Sequence, residues 1–195
     1  MEVLPLTGNA LHDALPALAD LRIRIFRAWP YLYDGTLDYE EKYLKKFSEA
    51  EGALVVVARD DNGHIVGAST ASPLLGHADE FAAPFAARGH NPNRVFYFGE
   101  SVLLPEYRGH GIGHKFFDYR ENHARQSGNY DIAAFCAVVR EEADTRKPDD
   151  YQPLDIFWNK RGFTREENML ASFNWKEIDS ADEISHNMQF WIKKL

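Results

Sequence analysis

Arg108, Gly109, Gly111 and Gly113 fall within the run Arg108-Gly109-His110-Gly111-Ile112-Gly113, directly after an apolar stretch and at the start of a helical pattern. Glycines at alternating positions remove side chains where a strand turns into a helix, so backbone N–H groups can approach an oxygen-rich ligand closely. The N-terminus of that helix adds a field that favours anions. The spacing is not the dinucleotide fingerprint, because His114 stands where a third glycine would be needed, and His114-Lys115 does not complete a Walker A sequence. Eight positions before Arg108 lies Glu100, on the same apolar stretch. A carboxylate in partly apolar surroundings takes up a proton more readily than one in water, which suits a general base. An ordinary strand carboxylate paired with an arginine is the alternative reading.

These residues need elements to hold them. Residues 3–6 read as a strand, and Leu11, Leu15, Leu18 and Ile25 recur at helical spacing, with the helix expected to start near Asp13 so that Pro16 lies in its first turn. Residues 29–35 break the pattern with Trp29, Tyr31, Tyr33 and Asp34, and a second helix covers 39–47. Runs 54–58 and 65–71, joined through Asn62-Gly63, predict a hairpin. A long connection at about 73–93 contains a short helical stretch through Ala82, Ala83, Ala86 and Ala87. Residues 95–104 predict a strand, 111–126 a helix closed by Gly128, and 132–139 a buried strand. A short helix at 154–161, a strand at 169–175 and a last strand at 188–192 complete the chain. About seven strands and four helices, with hairpins at both ends, predict an α/β fold with a single mixed, mostly antiparallel sheet flanked by helices.

The 195 residues suit one domain spanning 1–195, with 45% hydrophobic and 13% aromatic content. A formal charge of -8 opposes a general nucleic-acid surface. No apolar stretch is long enough to span a bilayer and no signal-peptide layout is present, so a cytoplasmic location without membrane association is expected. Cys136 is the one cysteine and reads as a small buried hydrophobe in a strand. His110, His114 and Asp118 are four apart, but His110 belongs to the turn, so no metal is expected; a metal-dependent hydrolase is the weakest of three readings.

The stretch 100–113 resembles the signature of the GNAT (GCN5-related N-acetyltransferase) superfamily, R/Q-x-x-G-x-G/A between a strand and a helix, with Arg108, Gly111 and Gly113 at its fixed positions. Phe157-Trp158-Asn159-Lys160-Arg161-Gly162-Phe163 is similar to that family's later helix and Gly-Phe segment. The resemblance implies a GNAT-like fold and acetyl-coenzyme A as acyl donor, with no metal. It implies that Arg108, Gly109, His110, Gly111, Ile112, Gly113 and His114 hold the pyrophosphate, that Val102, Leu103 and Leu104 line the pantetheine arm, and that Asn159 adjoins the cofactor. Glu100 would be the base and the Leu103 N–H the oxyanion donor. Where many members place a tyrosine as acid this chain has Trp158, and Tyr151 is a candidate substitute. Trp29, Tyr31, Tyr33 and Asp34 would border the acceptor groove. The expected activity is direct acetyl transfer to a primary amine of a small-molecule or amino-acid-like acceptor. A non-catalytic acyl-coenzyme A sensor or interaction module of the same fold is the alternative, and turnover discriminates the two. The last strand, read as exposed, offers an edge for a homodimer.

Overall fold

The computed structural model describes residues 1–77 and 79–195; Ala78, inside the expected long connection, lies outside the described residues. Among the described residues the chain forms β1 (Glu2–Leu6), α1 (Gly8–Phe26), α2 (Leu37–Ser48), β2 (Leu54–Arg59), β3 (Ile65–Pro73), α3 (Asp79–Ala87), β4 (Val95–Leu103), α4 (Ile112–Ser127), β5 (Ile132–Val138), α5 (Asp155–Lys160), β6 (Thr164–Lys176) and β7 (Glu183–Lys194). The seven strands make one sheet in the order β1-β2-β3-β4-β5-β7-β6. Only β4 and β5 pair in parallel, and α4 is the crossover that a parallel pair requires.

Residues 54–58 of β2 and 66–72 of β3 are all buried, the mark of strands covered on both faces. One face is covered by α1 and α2, which bring Leu18, Leu21, Leu44 and Phe47 into the core. The other is covered by α4 through Ile112, Phe116 and Ala124. Adjacent strand residues point to opposite faces, so on β4 the side chain of Glu100 meets α1 while that of Ser101 meets α4.

Two expectations are corrected. Helix α1 begins at Gly8 rather than near Asp13, leaving Pro16 in its interior. Interior proline costs about 3 kcal/mol; Leu11 and Ala14, N-terminal to it, are buried, and their packing offsets much of that cost. The short helix expected in the Ala-rich stretch is α3, and with it the helices number five among the described residues. The last strand is not an edge: β7 lies between β5 and β6, paired along both sides, and β6 is the edge strand beside it. Among the described residues no helix is long and apolar enough to cross a membrane.

Candidate active site

The centre of the sheet is irregular where the chemistry-bearing residues sit. Ser69 faces Ser101 but Ala71 faces Phe98, so β4 carries one extra residue, a bulge at Gly99 and Glu100. Thr70 Oγ1 accepts the Glu100 N–H at 3.1 Å. A Cβ on Gly99 would stand 2.4 Å from that oxygen, which is why glycine occupies the position. Arg120 of α4, only 1% exposed, secures the bulge from the other face. Its Nη1 donates to the carbonyls of Thr70 and Glu100, both at 3.3 Å, and its Nη2 to Ser101 Oγ at 2.9 Å. The guanidinium packs over the Phe98 and Phe117 rings. Burial lowers its pKa to about 9, so it remains a cation at neutral pH.

Beyond the bulge the sheet opens. β4 and β5 pair only from Val95–Ile132 to Tyr97–Ala134, although they run on to Leu103 and Val138. The Leu104 N–H is bound to Val66 O at 3.0 Å, so strand alternation turns the Leu103 amide to the opposite edge, into the gap between β4 and β5. Arg108 Nε donates to Leu103 O at 3.2 Å, tying the turn to the end of β4.

Gly109 and Gly111 take φ of 80° and 77°, and Gly111 is the residue that caps α4. A Cβ at either would meet no neighbour, so the backbone conformation, not crowding, is what calls for glycine there. The first intrahelical bond runs from Lys115 N to Gly111 O, which leaves the N–H groups of Ile112, Gly113 and His114 without helical acceptors. Arg108, Gly109, His110 and Gly111 are exposed around them, and the first turn contains no acidic residue. Phe157 of α5 lies against His114, with ring centroids 4.9 Å apart, and Asn159, two residues on, is exposed. Trp158 turns away, with centroids 5.0 Å from Phe135 and 5.1 Å from Trp191. His110 Nδ1 stands 3.3 Å from Tyr107 O.

Glu100 faces a cavity of about 420 Å³ between α1, α2, β4, β5 and the β6–β7 hairpin. It is not an isolated carboxylate in apolar surroundings. Its Oε2 lies 2.8 Å from Arg22 Nη1, while Oε1 is buried and without a hydrogen-bond partner among the described residues. Arg22 Nε is bound to the fully buried Glu40, and its guanidinium lies over the Tyr43 and Phe26 rings. Burial alone would lower the Arg22 pKa; Glu100, Tyr43 and Glu40 outweigh that and hold it above the usual arginine value. Deeper in the cavity, Tyr97 Oη and Cys136 Sγ share a hydrogen bond of 2.8 Å. Burial pushes the Cys136 thiol up to about 12, partly offset by that bond, and pushes His77 down to about 4, so both are neutral at pH 7.

Of the aromatic-loop residues, Tyr31 and Tyr33 line the cavity and burial raises both phenols above the usual value. Trp29 and Asp34 do not. Trp29 packs edge-on against Tyr151 at 6.2 Å, and Asp34 pairs with Lys176 Nζ at 3.0 Å and Arg27 Nη1 at 3.2 Å, so its charge is already matched. The loop is held by groups distant in sequence. Arg140 Nη2 donates to Tyr31 O at 2.9 Å, Trp175 Nε1 donates to the same oxygen at 3.0 Å, and Arg140 and Arg146 share the buried Glu177. Thus Arg140 is a structural clamp on the loop.

Sequence reasoning missed Arg22, Glu40 and Arg120. A signal existed: Arg120 continues the four-residue stripe Ile112, Phe116, Ala124, Arg22 falls among Leu18, Leu21 and Ile25, and Glu40 precedes Leu44 and Phe47. Charged groups on an apolar stripe are buried, and buried charges require partners.

The sequence model of the Acetyltransferase (GNAT) family matches residues 16–146, more than half of the chain, and the protein belongs to that family. A search of the curated proteins finds no match. Among solved structures, a ribosomal-protein-alanine N-acetyltransferase from Brucella melitensis is 14% identical with a TM-score of 0.62, the match covering 100% of each chain. An aminoglycoside 6'-N-acetyltransferase complexed with coenzyme A is 15% identical with a TM-score of 0.58, covering 100% of this chain and 97% of that one. A GNAT-family acetyltransferase from Staphylococcus aureus is 12% identical with a TM-score of 0.58, covering 100% and 98%. At these identities the likeness is one of fold, and it extends beyond the region matched by the family model to the C-terminal hairpin.

Proposed function

We propose that the protein transfers an acetyl group directly from acetyl-coenzyme A to a primary amine, with Glu100 as base. The observation that carries this reading is the placement of Glu100: on the bulge beside the β4–β5 gap, one oxygen on Arg22 and the other unpartnered at the cavity. The open first turn of α4 supplies N–H groups for the pyrophosphate, with Arg108 and the glycines shaping the approach. The facing edges of β4 and β5 supply backbone groups for the amide-bearing pantetheine, with Asn159 assigned to the cofactor by the family resemblance alone. In the reaction the ammonium loses a proton towards Glu100 Oε1, directly or through a water. The amine lone pair then forms the N–C bond, and the Leu103 N–H stabilises the oxyanion as the C–S bond breaks. Of the two protons the nitrogen gives up, one ends on the coenzyme A sulfur and one in solvent.

Burial, with Asp155 contributing, holds the Tyr151 phenol above its usual value, and its ring rests on Trp29. A thiolate leaves without strong assistance, so Tyr151 need only contribute modestly as acid. A second reading, an acyl-coenzyme A sensor, is favoured by one observation: Trp158 is packed beside Phe135 and Trp191 and contributes no acid. Calorimetric titration with acetyl-coenzyme A, followed by thiol release across a panel of amines, separates the two. Glu100→Gln is expected to retain acetyl-coenzyme A binding and lower kcat/KM by about 10²–10⁴. Binding without release from any amine favours the sensor, and absence of binding removes both.

A further inference from the structure

The cavity beside Glu100 has a charge and a wall composition that together define what fits it. One guanidinium, Arg22, is shared between two buried carboxylates, Glu40 and Glu100, which leaves one negative charge. Of the two, only Glu100 lines the cavity, and its Oε1 is buried without a hydrogen-bond partner among the described residues. Buried acceptors of this kind are costly unless a donor arrives. The rest of the wall offers no second charge at depth: Tyr97 and Cys136 satisfy each other, His77 is hydrogen-bonded to Ser72 Oγ at 2.8 Å, and Lys46 is exposed at the mouth. The remaining surface is largely aromatic, with Tyr31, Tyr43, Phe81, Tyr97, Phe173 and Trp175 contributing rings.

The geometry points to an arylalkylamine as the acceptor: one ammonium for Glu100, one aromatic body for the ring-lined wall, and no carboxylate. This rests on the transferase reading above. A single ammonium brings up to three N–H donors to an unpartnered carboxylate oxygen and cancels the one net charge. An α-carboxylate would stand beside Glu100 with Arg22 already engaged on both sides, and would remain an unpaired like charge. A second or third ammonium, as on a polyamine or an aminoglycoside, would be set against aromatic rings with no further buried carboxylate among the described cavity residues. Rings attract a cation, but far less than a matched carboxylate does. An aryl group, by contrast, replaces water along the wall and gains both area burial and ring–ring contact.

The test uses the wild-type chain, acetyl-coenzyme A and four amines: 2-phenylethylamine, phenylalanine, propylamine and spermidine. Thiol release should give kcat/KM for 2-phenylethylamine about a hundredfold or more above phenylalanine and spermidine, and about tenfold or more above propylamine. Equal or better use of phenylalanine or spermidine overturns the assignment while leaving the transferase intact. Phe173→Ala, on the cavity wall away from the glycine turn, should raise KM for 2-phenylethylamine and leave acetyl-coenzyme A titration unchanged. An unchanged KM with 2-phenylethylamine would also count against the assignment. Should acetyl-coenzyme A bind with no turnover on any amine, the transferase reading fails, and calorimetry decides the ligand class alone. Binding of 2-phenylethylamine at least tenfold tighter than phenylalanine would uphold it, and equal or absent binding would overturn it.

Discussion

At the scale of single residues, the site depends on charges placed where an apolar side chain would be the simpler choice. Arg120 is almost wholly buried, and it bonds to the carbonyls of Thr70 and Glu100 at the bulge. Arg120→Met keeps much of the packing over Phe98 and Phe117 but strands those acceptors. It is expected to cost about 2–4 kcal/mol, read as a loss of roughly 5–15 °C in Tm. Because Arg120 touches the backbone of Glu100 and not the cavity, kcat should fall more than KM for the amine rises, with partial rescue in Arg120→Lys. A fall in kcat no larger than the unfolded fraction would refute a positioning role. The glycine turn could be read from the sequence, and Glu100 became a candidate through the family resemblance that places a glutamate eight positions before Arg108. The partner of Glu100 could not be read there, because Arg22 lies nearly eighty residues upstream and only the folded sheet brings α1 over β4.

At the scale of elements, β4 must bend at the bulge and then leave β5. Gly99 and Thr70 make the bend possible together, one by lacking a Cβ and the other by filling the space with a hydroxyl that caps an N–H. Gly99→Ala is expected to destabilise by about 1–3 kcal/mol and to lower turnover. Adding Thr70→Ala should relieve the clash yet restore little activity, since the Glu100 N–H then loses its acceptor. Chemical denaturation and thiol release on the two variants check this, and full recovery in the double variant would show that only the clash mattered. The run of strands and helices was readable from periodicity and turn residues, including the hairpin at Asn62-Gly63. The length and position of β7 were not: residues 183–187 are mostly polar and exposed, so they carry no apolar alternation, and they are strand because β6 pairs with them.

At the scale of the whole molecule, the acid limit of stability is set in part by His77, whose ring packs against those of Phe81 and Tyr97. Its pKa falls from 6.5 to about 4 on folding because burial penalises the cation. The unfolded chain therefore takes up the proton first. The contribution is full above pH 6.5 and is lost as pH falls from 6.5 towards about 4, amounting to about 3 kcal/mol across that window. His77→Gln should narrow the difference between denaturation midpoints at pH 7 and pH 4.5; an unchanged difference would assign the acid loss to carboxylates alone. The clamp of Arg140, Trp175 and Glu177 on the aromatic loop has a different consequence. The glycine turn and the bulge lie in the middle of the chain, whereas one side of the cavity, Phe173, Asn174, Trp175 and Met188, comes from the final hairpin, beyond the stretch matched by the family model. The protein is thus divided like a tool with a fixed handle and an exchangeable jaw. A grafted hairpin that kept the contacts to Tyr31 would change one side of the cavity and leave the glycine turn untouched.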